Sequence, residues 1–536
     1  MLLPDNLSAV PEVLFIVPEE RLDEYLGVGY LAASLSVQGI SSLTLQGNPE
    51  NLEPALRELF RRPDRPFIVA IACIYLFSVV RVNRLASWIR EWSANTVIVV
   101  GGHAGTFEYV RILHEIPEVD YVICGEGDES FVELIKVLRA GKQIGHIAGL
   151  AWRENSVSVR VIPGRNVADL DALPFPSRDT LRDVVQHRGS SEGVLARLSG
   201  SRGCYGQCEF CSIVSFYSLD GQPMRWRPRS PERIAQEVEW VVRNFGVRAF
   251  WFVDDEFIGP PRSGISRVME LADLLRPMSI EFGFDARANG VTAFSSDELD
   301  RLRDAGLRVV SIGVESGSQK VLRRIRKGIN VESNWEAIRR LRSAGIGYRF
   351  GFIMYDRLTC PTDLQANLEF LRFAGPHRIC NSGPFRLLNV EFPVVGSPLH
   401  HELALTGHSV QESSRSDMPR ISEKEIGYTF KDPRVALYRL QMHRLASEAV
   451  ETEMIARQDD GKSPDGDLWF GVNMLPRNIA VMDAFLFCHE WLFDRIGEPE
   501  LATQNTYRML LGVFDEELLN RGVTPWRKLL ARRKRV

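Results

Sequence analysis

Gly203-Cys204-Tyr205-Gly206-Gln207-Cys208-Glu209-Phe210-Cys211 brings three of the chain's eight cysteines within eight residues. The other five, Cys73, Cys124, Cys360, Cys380 and Cys488, are scattered over 536 residues. That usage is too sparse for a disulfide framework. Thiolates are soft ligands that suit zinc or iron–sulfur clusters. Structural zinc takes four ligands, usually as two close pairs. Here no fourth Cys or His follows within the next hundred residues. Three thiolates would leave one iron of a [4Fe–4S] cluster without a protein ligand, and an open metal position is where a substrate can coordinate. An incomplete zinc site or chance spacing is the competing reading.

Around this segment the chain alternates strand and helix patterns. Val194–Ser199 precedes the cysteines as a strand. Arg248–Val253, Ile280–Asp285, Arg308–Val314, Tyr348–Met354 and Leu387–Phe392 follow as further strands with helices between them. Ser230-Pro231 is a helix start, with Ser as N-cap and Pro in the first turn, and Gly246 is its stop. Ser333–Ala344 is another helix, closed by Gly345. Six strand–helix units predict a partial barrel whose chemistry sits at the C-terminal strand ends.

Upstream, Val13–Val17, Phe67–Cys73, Val97–Val100 and Tyr121–Cys124 are apolar runs without alternation. Separated by helical patterns such as Tyr30–Val37, they predict a parallel sheet covered on both faces. Gly101-Gly102-His103 and Gly125-Glu126-Gly127 end two of these strands, where open α/β sheets bind ligands. Plain turn chemistry explains such glycines equally well. Ala151–Val161 reads as a small hairpin and Leu173-Pro-Phe-Pro176 as an interdomain connection. Gly407–Glu425 is polar and reads as a loop, and residues 430–536 read as mostly helical. The closing Arg532-Arg-Lys-Arg535 reads as a solvated helix end.

Composition excludes other classes. The chain is 45% hydrophobic and 25% charged, within the ordinary globular range. Its net charge, 65 − 69 = −4, gives no general attraction to nucleic acid. The apolar run Phe67–Val80 is shorter than the roughly 20 residues of a membrane span. No secretory signal opens the chain, so a cytoplasmic location is expected.

The C-x3-C-x2-C spacing in the first strand-to-helix loop of a predicted barrel resembles the radical S-adenosylmethionine (SAM) superfamily. The resemblance implies a [4Fe–4S] cluster on Cys204, Cys208 and Cys211, with SAM chelating the open iron. Phe210 matches the family's aromatic position near the adenine; core packing is the alternative. Asp254 and Asp255, ending the second strand, match the position that holds the SAM amino group; helix N-capping is the alternative. Arg287 resembles a position near SAM where a guanidinium can pair a carboxylate, although a surface ion pair has the same appearance. Glu315 and Ser316 resemble the ribose-contacting stretch, and Lys327-Gly328 follows as in many members.

The N-terminal half resembles the cobalamin-binding domain that precedes many such barrels. The features are Gly27-Val-Gly-Tyr-Leu-Ala-Ala33, the turns Gly101, Gly102, His103 and Gly125, Glu126, Gly127, the hairpin, and the Leu173–Pro176 connection. The Asp-x-His-x-x-Gly signature of classical cobalamin domains is missing, as it is in many radical SAM members. His103 follows a different strand and either lines the corrinoid pocket or serves the turn. Tyr75 and Leu76 are expected beneath the corrin.

The expected fold is therefore α/β. It has an N-terminal Rossmann-like cobalamin-binding domain (1–147), a hairpin and linker (148–192), a partial (β/α)6 radical SAM barrel (193–400) and a helical C-terminal region (401–536). The resemblance implies a cobalamin-dependent radical SAM methyltransferase. The cluster reduces SAM, a 5′-deoxyadenosyl radical abstracts hydrogen from an unactivated carbon, and methylcobalamin supplies the methyl group. Radical rearrangement, ring contraction or cyclisation on the same cofactors is the alternative, and a non-catalytic cluster or corrinoid sensor a third reading. A second upstream cysteine triad, as methylthiotransferases have, is missing. A small metabolite, as in natural-product biosynthesis, is the expected substrate, with flavodoxin or ferredoxin as electron donor. After the fifth strand, Met354-Tyr-Asp-Arg-Leu-Thr-Cys360-Pro361 replaces the family's Gly-x-Pro. Tyr355 and Asp356 could face substrate there, or the loop could be structural.

Overall fold

The computed structural model describes residues 10–525 apart from 20–23, 63–64, 76–77, 220, 223–225, 381–383, 407–428, 460–475, 499–500 and 502. Leu76, the Gly407–Glu425 loop and Arg532–Arg535 lie outside the described residues.

Strands β1 (Val13–Val17), β2 (Ser42–Gln46), β3 (Ile68–Ala72), β4 (Val97–Gly101), β5 (Tyr121–Ile123), β6 (Leu150–Arg153) and β7 (Val159–Val161) form one sheet in the order β2-β1-β3-β4-β5-β6-β7. The first five are parallel; β6 and β7 are the antiparallel hairpin expected at Ala151–Val161. All five residues of β1 are buried, which is why the run carries no alternation. Between β1 and β3 the strand order reverses, and ligands bind beyond the strand ends at such a point. The sequence patterns missed β2: Ser42-Leu-Thr-Leu-Gln46 is a half-polar strand at the sheet edge.

The second sheet contains β8 (Leu195–Leu198), β11 (Ala249–Phe252), β12 (Glu281–Arg287), β13 (Leu307–Glu315) and β14 (Gly347–Phe352), all parallel and adjacent in chain order. A two-residue ribbon, β9 (Ser201–Arg202) with β10 (Arg227–Pro228), flanks the cysteine loop. The sixth expected strand, Leu387–Phe392, is corrected. Pro384–Leu388 is a 3-10 turn, and only Val390 bridges in parallel to Tyr355. Asn389 O accepts from Met354 N and Tyr355 N, so the segment holds the sixth position with too few bonds to count as a strand. The helix Pro231–Phe245 begins at Ser230, whose side chain accepts from Arg233 N, and stops at Gly246 with φ 68°. The helix expected at Ser333–Ala344 spans Val331–Ser343, because Asn330 caps it by accepting from Ser333 N.

Helices Pro433–Asp459, Pro476–Phe493 and Gln504–Asn520 form the C-terminal region and pack on the barrel beside the sixth position. Tyr438 and His489 hydrogen-bond at 2.8 Å inside that layer.

One buried guanidinium ties the two sheets and the linker together. Arg178 is fully buried. It donates to Glu24 at the entrance of the first helix (2.6 Å), to the Arg197 carbonyl on β8 (2.7 Å), and to Glu237 on the helix after the cysteine loop. Arg229 meets the other Glu237 oxygen at 2.6 Å. The linker reaches this hub by crossing Gly29, where a Cβ would lie 2.6 Å from the Ser177 carbonyl. Removing one partner of a buried ion pair strands the remaining charges. Arg178→Ala is expected to destabilise the protein by about 3–5 kcal/mol, read as a lowered thermal unfolding midpoint by circular dichroism.

Candidate cofactor and active site

A cavity of about 770 Å³ lies where the C-terminal strand ends of the two sheets face each other. Phe15, Ala72 and Gly101 from the first sheet line one wall, and Arg197, Ser199 and Val253 from the second line the other. Its size falls within the range of small-molecule and cofactor pockets, about 300–1,000 Å³. Gly27 and Gly101 line it where an added Cβ would meet little or nothing within 4 Å, so both leave room for a flat ligand. Gly102 serves a different purpose: at φ 104° its Cβ would strike the Cys73 carbonyl at 2.9 Å. Gly125 similarly abuts Leu219. Tyr75 is 52% exposed and lies on the wall.

Two acids at the first sheet's ends cross to the barrel. Asp128 takes both terminal nitrogens of Arg202, at 2.8 and 3.0 Å. Glu126 takes both terminal nitrogens of Arg227, each at 2.9 Å, and a third contact from Arg202 at 3.0 Å. The rings of Tyr30 and Tyr217 sit 5.2 Å from the guanidinium carbons of Arg202 and Arg227, respectively. Both arginines belong to the β9–β10 ribbon, where they pair, and Arg202 is two residues ahead of Cys204. Sequence reasoning missed Arg202 and Arg227, since isolated arginines read as solvated charge. Glu126 is thus a domain tie as well as a wall residue.

The cysteine loop is held on its far side too. His103 Nε2 lies 2.6 Å from Ser212 Oγ, the residue after Cys211, and its ring stacks on Phe216 at 5.1 Å. Burial lowers the His103 pKa, which favours the neutral ring. His103 is therefore a contact between the domains rather than a lining residue of the cavity.

Cys204 and Cys211 are partly buried and Cys208 is buried. Gly206 N donates to Cys204 Sγ at 3.2 Å, and Arg287 approaches Cys208 Sγ at 3.7 Å. A Cβ at Gly206 would lie 2.3 Å from the Arg287 guanidinium, so a larger residue there has to push that guanidinium aside. Burial pushes the free thiols up, Cys204 to about 11 and Cys211 to about 12, so positive charge is needed to hold them as thiolates. Among the described residues no three His, Cys, Asp or Glu side chains converge on a single ion. A cluster asks for no such convergence, because each thiolate binds a different iron. Phe210 packs with Val321, Leu322, Ile325 and Ile353 beneath the loop.

The acids after β11 separate into different roles. Asp254 is 5% exposed and accepts from Gly200 N at 2.9 Å and from the Ser201 hydroxyl. Glu256 is fully buried and accepts from Arg287 N at 2.7 Å and Gly259 N at 3.3 Å. Asp255 is exposed onto the cavity and accepts from Gly203 N; desolvation by the surrounding walls and the neighbouring Asp254 raise its pKa to about 7. Arg287 is turned toward the cysteine loop, with its guanidinium on the Lys327 carbonyl and 5.3 Å from the Tyr205 ring. Glu315 sits at φ 63° and accepts from Lys327 Nζ at 2.8 Å. Ser316 is fully buried and donates to Asn367 at 2.7 Å, so it serves packing of the helix Pro361–Ala374. Tyr355 is fully buried against Phe430, and Asp356 is bound by Arg324 at 2.7 Å. Neither of those two opens onto the cavity.

Burial raises the Asp254 pKa from 3.8 to about 6. A carboxyl whose folded pKa is raised favours folding relatively most below about pH 4, and loses that advantage as pH rises to about 6. An amide at this position can go on accepting from Gly200 N without the charge, while its NH2 donates to Ser201 Oγ and the Ser201 proton turns to the Glu256 carbonyl. The apoprotein D254N is expected to be more stable than the parent at pH 8, by about 2–3 kcal/mol, and equally stable near pH 4, measured as unfolding midpoints in thermal denaturation.

The profile of the Radical SAM superfamily matches residues 198–360, and that of the B12 binding domain matches residues 24–135. An uncharacterised methyltransferase of Pyrococcus horikoshii is 26% identical over 69% of this chain and 77% of its own length. An anaerobic magnesium-protoporphyrin IX monomethyl ester cyclase of a Synechocystis species is 29% identical over 49% of this chain; the match spans only 51% of the cyclase. The fold is that of the cobalamin-dependent S-adenosylmethionine radical enzyme OxsB, solved with aqua-cobalamin and S-adenosylmethionine bound. That structure superposes with a TM-score of 0.74 at 18% identity, over 98% of this chain and 80% of that one. The two domains call for a [4Fe–4S] cluster, SAM and cobalamin, and the three thiolates and the open cavity fit those groups. The chain is therefore an enzyme of the radical SAM superfamily that carries a B12-binding domain ahead of its barrel.

Proposed function

We propose that the protein is a C-methyltransferase acting on an unactivated carbon of a small metabolite. The observation that carries this reading is the cavity shared by both sets of strand ends, which puts the corrinoid-binding face opposite the barrel mouth. The cofactors supply the radical and the methyl group when bound. The residues of this chain bind, orient and exclude water.

In this reading Cys204, Cys208 and Cys211 hold the cluster, and Arg287 offsets the thiolate charge beside Cys208. Asp255 receives the SAM ammonium, because its carboxylate is exposed on the cavity wall, whereas Asp254 is buried and held by Gly200 and Ser201. Asp254 orients the strand end through Gly200 and Ser201. Phe210 supports the cysteine loop from below. Gly27, Gly101 and Tyr75 form the corrinoid wall together with the turn residues Gly102, Gly125, Glu126 and Gly127. An external one-electron donor such as flavodoxin or ferredoxin completes the reaction. The similarity to a cyclase supports a second reading, radical ring closure without methyl transfer.

Two measurements test this. Anaerobic holoenzyme given SAM labelled in its methyl group is expected to place label on the corrinoid and to release 5′-deoxyadenosine under reduction. Nucleoside release with no label on the corrinoid would instead favour the cyclase-like outcome. Each of C204A, C208A and C211A is expected to lose cluster iron and nucleoside release together while retaining corrinoid, read by iron analysis and visible absorption.

A further inference from the structure

Two turns of the N-terminal sheet reach the cavity wall and are joined to each other. The Gly101 carbonyl accepts from Cys73 N at 2.7 Å. Thr106 Oγ1 donates to the Gly102 carbonyl and accepts from Gly125 N, each at 2.9 Å. Thr106 is buried, so this link between the turns is dry. Gly101, Gly102 and Gly125 all face the cavity. His103 follows them directly as the first residue of the helix His103–Glu115.

The barrel side of the contact is the stretch that leaves the third cysteine. Cys211 Sγ accepts from Ile213 N, and Ser212 Oγ lies 2.6 Å from His103 Nε2. Phe216, at the end of the short helix Ile213–Phe216, lies nearly parallel to the His103 ring, with 19° between their planes. Phe107, one turn along the helix from His103, packs edge-on against both rings, at 5.3 and 6.4 Å. It also abuts Gly396 of the barrel domain, where a Cβ would lie 2.4 Å from the Phe107 ring. Phe216 and the next residue, Tyr217, line the cavity in turn. The path from the cavity wall to Cys211 therefore runs through the His103–Ser212 contact, with wall residues on both sides of it. A ligand that orders one part of such a packed unit lowers the entropic cost of ordering the rest.

We infer that His103 is a positioning residue that couples corrinoid occupancy of the cavity to the cluster, by holding Ser212, and through it Cys211, against the cavity wall. The inference rests on the proposed placement of the corrinoid at Gly101 and Gly102, and not on methyl transfer. Coupling between two binding sites is reciprocal. If the corrinoid favours the loop conformation that holds the cluster, the cluster must tighten corrinoid binding by the same factor.

The test titrates the full chain with hydroxocobalamin under anaerobic conditions, without cluster and after reconstitution with iron and sulfide, and measures bound corrinoid by ultrafiltration. Cluster loading is expected to tighten corrinoid binding about fivefold or more. H103A and S212A are each expected to reduce that ratio to below about twofold, and the double variant to do no more than either single one. H103Q, whose side-chain amide can reach the Ser212 hydroxyl, is expected to restore part of the ratio. The EPR spectrum of the reduced cluster is expected to change on adding corrinoid in the parent and not in H103A. Iron content shows that each variant carries its cluster. A purely structural role would weaken corrinoid binding alike in both cluster states and leave the ratio intact. That result would overturn the inference, as would a parent whose corrinoid binding ignores the cluster. If corrinoid binds without such coupling, this inference falls alone. If corrinoid fails to bind the parent in either state, the proposed corrinoid wall falls and takes the inference with it.

Discussion

Arg202 and Arg227, paired on a two-residue ribbon, hold Asp128 and Glu126 of the N-terminal domain through two forked ion pairs. Most other features of the site follow from this clamp. It places one domain's strand ends over the other's, and so creates the shared cavity. It also fixes the start of the cysteine loop, two residues beyond Arg202. His103 and Ser212 fix the loop's other end. The loop is therefore suspended between attachments to the N-terminal domain, and the chain's own barrel contributes Arg287 and the apolar support under Phe210.

The clamp is stable because its charges are nearly dry and mutually satisfied. Exposed ion pairs contribute little, but a forked pair removed from solvent gains from the lower local dielectric. Arg178 is likewise buried, and its two terminal nitrogens reach Glu24, Glu237 and a β8 carbonyl, while its Nε has no partner. Such groups add specificity as well as energy: a shift of either domain leaves several of them unsatisfied at once.

Much of this architecture was legible in the sequence for simple reasons. Strands buried on both faces show as uninterrupted apolar runs, as in Val13–Val17, and three clustered cysteines without a fourth ligand have few uses. Other parts were hidden for equally physical reasons. The edge strand Ser42–Gln46 is half polar and only partly buried at its start. The sixth barrel position keeps an apolar sequence, Leu387–Phe392, but the neighbouring 3-10 turn leaves it only one bridge. The clamp pairs arginines and acids some 75 to 100 residues apart, and no local pattern announces such partners. Ser316 and Tyr355 have functional-looking neighbours in sequence, yet the fold buries both against helices or the C-terminal layer.

The crossed ion pairs also bear on how such proteins can be recombined. A chimera joining this barrel to a foreign corrinoid module would seal Arg202 and Arg227 against a surface lacking their acids. Orphaning two guanidinium groups costs on the order of several kcal/mol, comparable to the whole margin of many folded domains. The two modules are therefore not interchangeable parts: they must be inherited, or transplanted, together with the residues that match them.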